Sequence, residues 1–143
     1  MRAGAALTLT GLMAGALAGC QRKELAFNST DVTGSDIGGD LSLTDHNGAK
    51  RSMADFRGKA VVVFFGFIQC PDVCPTTLAN FAEVMKRLGP DADKVQVVFV
   101  TVDPRRDTAG ILADYVGAFG PDIGALRGGD MQTRLVAQAG RVA

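Results

Sequence analysis

Residues 60–75 read AVVVFFGFIQCPDVCP, and this stretch gives the strongest indication of the fold. Its first eight residues lack polar alternation, a pattern typical of a strand buried on both faces in the interior of a sheet. The residues after the second cysteine place apolar side chains on one helical stripe, at Leu78, Phe81, Met85 and Leu88. Cys70 and Cys74 therefore lie on a turn that leads from a buried strand into a helix.

The segments downstream repeat this strand–helix order. Residues 95–102 form a second β-branched run, and Thr108 is suited to cap the helix that follows. That helix carries an apolar stripe: Ile111, Leu112, Tyr115, Val116 and Phe119. Residues 123–126 are predicted to be extended, and Asp130 is predicted to cap a last helix through about Ala139.

Upstream, the sequence predicts a hairpin with Asn47-Gly48 at its tip, then a short helical turn over residues 52–57. Strands that alternate with helices predict a parallel pair with a right-handed crossover, and hence an α/β sandwich. A thioredoxin-like core fits this order, because there too the redox turn joins a buried strand to the following helix.

Composition restricts the class of function. The chain has 143 residues, no net charge, 21% charged residues and 47% hydrophobic residues, which is typical of one globular domain. Without a basic stripe, nucleic acid is not an expected partner. The sequence also contains no glycine-rich phosphate-binding motif of the strand–loop–helix kind.

Residues 1–20 have the pattern of a secretory signal peptide, with a positive start, an apolar run and small residues before Cys20. The sequence LAGC at 17–20 resembles the lipobox of bacterial lipoproteins, which implies that Cys20 is lipidated; an uncleaved apolar anchor is the alternative. Residues 21–39 are polar and predict a tether. A single folded domain is then expected over residues 40–143, outside the cytoplasm and tied to a membrane.

A close cysteine pair on such a turn can bind a soft metal, cycle as a disulfide or brace the turn. A helix N-terminus stabilises a thiolate there, which favours the first two uses. Two thiolates suit Cu(I), whereas Cu(II) or Zn(II) commonly requires an imidazole nitrogen and an oxygen as well.

Two sequence motifs resemble those of the Sco/SenC family of copper metallochaperones. They are FGFIQCPDVCPTTL at residues 65–78 and VTVDPRRDT at residues 100–108. The resemblance extends from about Ser35 to the last residue. It implies a thioredoxin-like domain at the outer face of the bacterial inner membrane. Such a domain would deliver copper to the binuclear copper site of cytochrome c oxidase, or reduce the cysteines of that site.

The resemblance also assigns roles to residues. Cys70 and Cys74 would bind copper, and Asp72 and Asp103 would lie near the metal and tune it; ordinary turn carboxylates are the alternative for both. The family's third ligand is a histidine in a later hairpin, and this chain ends before that segment. We therefore expect a C-terminally truncated chain that lacks the last strands and helix of the core and exposes an edge of the sheet. His46, the one histidine, is predicted to be a solvated turn residue rather than a substitute ligand.

Other functions stay open at this point. The same cysteine pair could serve a thiol–disulfide oxidoreductase, although those enzymes usually carry C-x-x-C. A peroxidase is disfavoured because Phe67-Ile68-Gln69, not proline and threonine, precede Cys70. A truncated product without function is a further alternative. The expected partners of a chaperone are the copper-site subunit of the oxidase, other copper chaperones and thiol reductants.

Overall fold

A computed structural model describes residues 30–34 and 41–141 of the chain. The chain divides into two compact units, residues 1–33 and 34–143. In the first unit, the Asp31 carboxylate accepts hydrogen bonds from the backbone N–H of Thr33 (2.9 Å) and from its hydroxyl (2.6 Å). The predicted signal peptide, Cys20 and most of the predicted tether lie outside the described residues. Within the described ranges, no helix is long and apolar enough to span a bilayer.

The second unit contains a mixed sheet of five strands in the order β2-β1-β5-β4-β3. The strands are β1 (Leu43–Asp45), β2 (Lys50–Arg51), β3 (Ala60–Gly66), β4 (Val95–Thr101) and β5 (Ile123–Arg127). β3, β4 and β5 are parallel, and β1 is antiparallel to both β2 and β5. The predicted hairpin and the predicted parallel pair are therefore confirmed.

The described part of this unit also contains three α-helices: α1 (Val73–Leu88), α2 (Ala109–Gly117) and α3 (Asp130–Ala139). Short 3₁₀ helices cover Met53–Phe56 and Gly89–Lys94. Thr108 caps α2 as predicted, with its side chain accepting the Ile111 N–H. Asp130, in contrast, is the first residue of α3 rather than its cap: Gly129 takes the cap position, and its N–H donates to the Gln132 side chain at 3.0 Å.

Helices cover both faces of the sheet, which is why its strands read as almost continuous apolar runs. On one face, buried side chains of α1 and α2 pack on the strands: Leu78, Met85, Leu112 and Val116 against Val97, Phe99, Ile123 and Ala125. On the other face, Val136 of α3 packs with Leu41, Leu43, Val98, Val100 and Leu126. Two members of the predicted α2 stripe differ from the prediction: Ile111 is 48% exposed, and Phe119 lies after the end of the helix, although it still packs against the core.

β3 occupies an edge of the sheet, where within the described residues it pairs with β4 alone. Its apolar composition predicted an interior position, and that prediction is wrong for this sheet. The predicted exposed edge is confirmed instead, and the Val and Phe side chains of β3 are half-buried. The C-terminal end of this edge strand leads directly into the cysteine turn.

Candidate metal and redox site

The cysteine turn closes at the N-terminus of α1. The N–H of Cys70 donates to the carbonyl of Phe67 at 3.2 Å, and α1 begins at Val73 with Asp72 in the cap position. Cys74 is thus the second helical residue and Pro75 the third, still within the first turn, where a proline removes no helical hydrogen bond. This geometry places the Cys70 side chain over the free amides of the helix start.

The two thiols have different environments. The Cys70 sulfur is half-buried and accepts the Cys74 N–H at 3.4 Å. A hydrogen bond from the Cys74 thiol, followed by the backbone N–H groups of Cys74, Asp72 and Val73, lowers the pKa of Cys70. Cys74 is 5% exposed, and its burial, together with its bond to Cys70, raises its pKa. The pair therefore consists of one thiol with a lowered pKa and one with a raised pKa.

Gly66 makes room for the buried sulfur. A β-carbon at this position would lie 3.1 Å from Cys74 Sγ and 2.8 Å from a ring carbon of Phe99. Such contacts are too close for any larger residue without movement of the ring or the sulfur. The last residue of β3 therefore has to be small if Cys74 is to pack beneath the turn.

A second loop, after β4, lies beside the cysteine turn. The Val102 N–H donates to the Gly66 carbonyl at 2.8 Å, and Arg106 Nη1 donates to Gln69 Oε1 at 3.3 Å. Asp103 opens this loop: its carbonyl accepts the N–H of Asp107 at 3.0 Å, and its carboxylate lies 3.6 Å from Arg106 Nε. The two segments that the sequence motifs singled out are therefore neighbours in space.

Residues 29–143 match the SCO1/SenC family. The chain belongs to this family. It is 47% identical to "Protein SCO2 homolog, mitochondrial" of Mus musculus over 105 residues, which are 72% of this chain and 40% of the relative. The chain thus spans about two fifths to one half of the length of the curated relatives it matches.

Two solved Sco structures with copper bound are similar to this chain. Bradyrhizobium japonicum ScoI with copper bound gives a TM-score of 0.71 at 41% identity, covering 73% of this chain and 67% of that one. Yeast Sco1 with copper bound gives 0.70 at 30% identity, covering 75% and 60%. These matches confirm the predicted family and the thioredoxin-like fold class.

The donor set of this SCO1/SenC chain fits a soft monovalent ion. Two sulfur atoms, one in the turn before α1 and one in the first turn of that helix, can hold Cu(I), which accepts a low coordination number. Among the described residues, no group of three or more histidine, cysteine or carboxylate side chains is placed to hold a metal ion together. The arrangement therefore offers two soft ligands with no histidine or carboxylate grouped with them in the described part of the chain.

His46 lies away from this pair. Its ring Nδ1 accepts the Ala125 N–H of β5 at 3.2 Å, and its backbone N–H donates to the Ala125 carbonyl at 3.1 Å. Because β1 is three strands from β3, the lateral separation is about 14 Å. The prediction of a solvated turn residue needs correction: the ring is half-buried and continues the β1–β5 pairing.

The two predicted carboxylates differ in placement. Asp72 is exposed, and its carboxylate accepts a hydrogen bond from the Thr76 hydroxyl at 3.3 Å, while its backbone N–H faces the Cys70 sulfur. Asp103 is one-third exposed on its side chain and pairs with Arg106. Their roles beside a metal remain predictions, with Asp72 contacting the site through its backbone.

Asp107 and Tyr115 are the residues that sequence reasoning missed. Asp107 is 3% exposed, and its Oδ2 accepts the Ile68 N–H at 3.2 Å and the Thr101 hydroxyl. Tyr115 was predicted only as a core residue, but its buried hydroxyl has no hydrogen-bond partner among the described residues. Burial raises the pKa of Tyr115, and negative charge at Cys74, Cys70 and Asp107 raises it further. Asp107 is one of two aspartates in the second motif, and Tyr115 lies outside both motifs, so no sequence signal singles out either residue.

Proposed function

We propose that this SCO1/SenC protein is a copper metallochaperone that holds Cu(I) between Cys70 and Cys74. The observation that carries the proposal is the contact between the two thiols at the start of α1, where backbone amides converge on the Cys70 sulfur. Binding Cu(I) removes both thiol protons, and the amides and helix dipole offset part of the added negative charge. The copper-bound structures of similar Sco proteins support the same cargo.

The recipient that we propose is the copper-site subunit of cytochrome c oxidase, with other copper chaperones or thiol reductants as upstream partners. Family membership supports this assignment. We further propose that lipidated Cys20 anchors the domain to the extracytoplasmic face of the inner membrane through a tether at residues 21–39. The intact mass of the native protein from a membrane fraction tests the anchor. A mature N-terminus at Cys20 with an added diacylglycerol supports it, and an unmodified Cys20 contradicts it.

Metal titration tests the copper proposal. We expect one Cu(I) per chain in competition with a chromophoric chelator, two sulfur ligands by X-ray absorption, and weak binding of Cu(II). Cys70→Ser and Cys74→Ser should each abolish tight Cu(I) binding, whereas His46→Phe should bind like the wild type. Tight Cu(I) binding by either cysteine variant would contradict the assigned ligands.

A second candidate is thiol–disulfide exchange, and the unequal thiols favour it. The Cys70 thiolate would attack a partner disulfide, form a mixed disulfide and release one partner thiolate, which takes up a proton. Cys74 would then lose its proton to solvent and attack the Cys70 sulfur. That second attack releases the other partner thiol and leaves a Cys70–Cys74 disulfide, so that the partner is reduced and this chain oxidised.

Trapping separates the exchange reaction from copper binding. With a model disulfide, Cys74→Ser should accumulate the mixed disulfide at Cys70, because the resolving thiol is missing, while Cys70→Ser should form none. Mass spectrometry of the trapped species gives the readout. Mixed disulfide at Cys74 in the Cys70→Ser variant would contradict the assigned order of attack.

A further inference from the structure

A buried hydrogen-bond chain joins the cysteine turn to the loop after β4. The Asp103 N–H donates to Thr101 Oγ1 at 3.0 Å, the Thr101 hydroxyl donates to Asp107 Oδ2, and Ile68 N–H donates to the same oxygen at 3.2 Å. The direction of each bond is fixed. Thr101 has one hydroxyl proton, which goes to the carboxylate, and its lone pair accepts from Asp103.

Asp107 is the central member of this chain. Thr101 is 0% exposed and Asp107 is 3% exposed, so neither is bonded to bulk water. Ile68 lies two residues before Cys70, at the point where the backbone leaves β3 for the turn. Its N–H has no strand partner there, because the parallel ladder with β4 ends at Gly66 and Thr101. The carboxylate therefore fixes the direction in which the backbone enters the turn.

We propose that Asp107 is the positioning residue of the Cu(I) site: it holds the turn so that the Cys70 sulfur stays beside Cys74. This inference rests on the proposed copper function. Two sulfur atoms bind one ion more tightly when their separation is fixed in advance, since ordering a loose turn reduces the affinity. Groups that orient metal ligands commonly change metal affinity when they are removed.

The test compares substitutions at Asp107 with matched ones at Asp45. Asp45 is also a buried carboxylate that holds a turn, at 6% exposure, but it lies on β1, three strands from β3. The full chain carries Asp107→Leu, Asp107→Asn, Thr101→Val or Asp45→Leu. Cu(I) affinity is measured by chelator competition at a temperature at which circular dichroism shows each variant folded.

We expect Asp107→Leu to weaken Cu(I) binding about 10- to 100-fold and Asp45→Leu to leave it unchanged. Asp107→Asn should recover most of the affinity, because its amide oxygen can still accept the Ile68 N–H. Thr101→Val should give an intermediate loss. Equal losses in Asp107→Leu and Asp45→Leu, or an unchanged affinity in Asp107→Leu, would overturn the positioning role.

Hydrogen exchange of the metal-free protein keeps this inference separate from the copper function. Loss of the carboxylate should speed amide exchange in residues 67–70 about tenfold in Asp107→Leu, with no change there in Asp45→Leu. If the wild type binds no Cu(I), the copper proposal fails and the exchange result alone decides the positioning of the turn. Unchanged exchange in residues 67–70 would overturn it.

Discussion

The hairpin and the cysteine turn are both held by a buried aspartate, but the two aspartates use different partners. Asp45 bonds within its own hairpin, to the N–H groups of Asn47 (2.9 Å) and Ala49 (2.8 Å) and to Arg51 Nε (2.9 Å). Asp107 reaches Ile68, 39 residues earlier in the chain. A turn held by local bonds can form by itself, whereas the cysteine turn requires the assembled sheet and the loop after β4.

The largest expected effect is on stability, and it separates the two aspartates. Asp107→Leu leaves the half-buried Ile68 N–H and the buried Thr101 hydroxyl unpaired, so we expect it to lower the free energy of unfolding by about 3 kcal/mol. Asp45→Leu should lower it by about 1 kcal/mol, because the exposed Asn47 and Ala49 amides can bond to water. Urea denaturation measures both values. Equal losses would remove the distinction between local and long-range support.

Two glycines extend the comparison. Gly48 has a φ of 87° in the hairpin turn, whereas Gly66 is needed because Cys74 and Phe99 pack against it. Gly66→Ala should destabilise the protein by about 2 kcal/mol through overpacking, and Gly48→Ala by about 1 kcal/mol through backbone strain. Only Gly66→Ala should also change the alkylation rate of Cys74. An unchanged rate would show that the ring, rather than the sulfur, moves to make room.

The side chain of His46 connects the hairpin to β5 of the sheet. His46→Phe keeps an aromatic ring at this position but removes the nitrogen that accepts the N–H of Ala125, a residue that is fully buried. We expect a loss of about 1 kcal/mol in the free energy of unfolding, with faster amide exchange in β5 and unchanged exchange in the cysteine turn. Unaltered exchange in β5 would mean that the hairpin turn is held by local bonds alone.

The smallest expected effect is the dependence of hairpin stability on pH. Burial raises the pKa of Asp45, but hydrogen bonds from Ala49, Arg51 and Asn47 outweigh it and hold the pKa below its ordinary value of 3.8. A carboxyl with a lowered pKa in the folded state stabilises the protein above pH 3.8, and that contribution is lost as the pH falls through the lowered value.

The advantage of wild type over Asp45→Asn in the free energy of unfolding should therefore be full at neutral pH and shrink below about pH 4. Paired urea titrations at neutral and acidic pH measure it. Carboxyls common to both proteins cancel in the difference, so a gap that does not change with pH would contradict the role assigned to the Asp45 charge.

Sequence reasoning succeeded where the signals are local. Asn47-Gly48 predicted the hairpin, Thr108 predicted the start of α2, and the spacing of Leu78 and Met85 predicted the buried side of α1. These signals depend on residues within one turn or a few helical turns. The family motifs then indicated copper binding for the cysteine pair and a thioredoxin-like fold. Periodicity alone leaves several uses of that pair open.

The parts that were missed depend on contacts between distant residues. Nothing in the spacing of the second motif distinguishes Asp107, which is buried, from Asp103, which is partly exposed. The need for a small residue at Gly66 is set by Phe99 and Cys74, which meet it only after β3 and β4 pair. An apolar strand composition, likewise, did not predict that β3 would lie at the sheet edge.

Tyr115 gives the molecule a built-in optical reporter. The chain contains one tyrosine and no tryptophan, so the intrinsic emission excited at wavelengths that phenylalanine does not absorb arises from this ring. The ring packs on Phe99 and Phe119. Negative charge at either cysteine raises the pKa of its hydroxyl. Metal loading or oxidation of the pair should therefore change a single fluorescence lifetime, and the state of the site can be followed in real time without an attached dye.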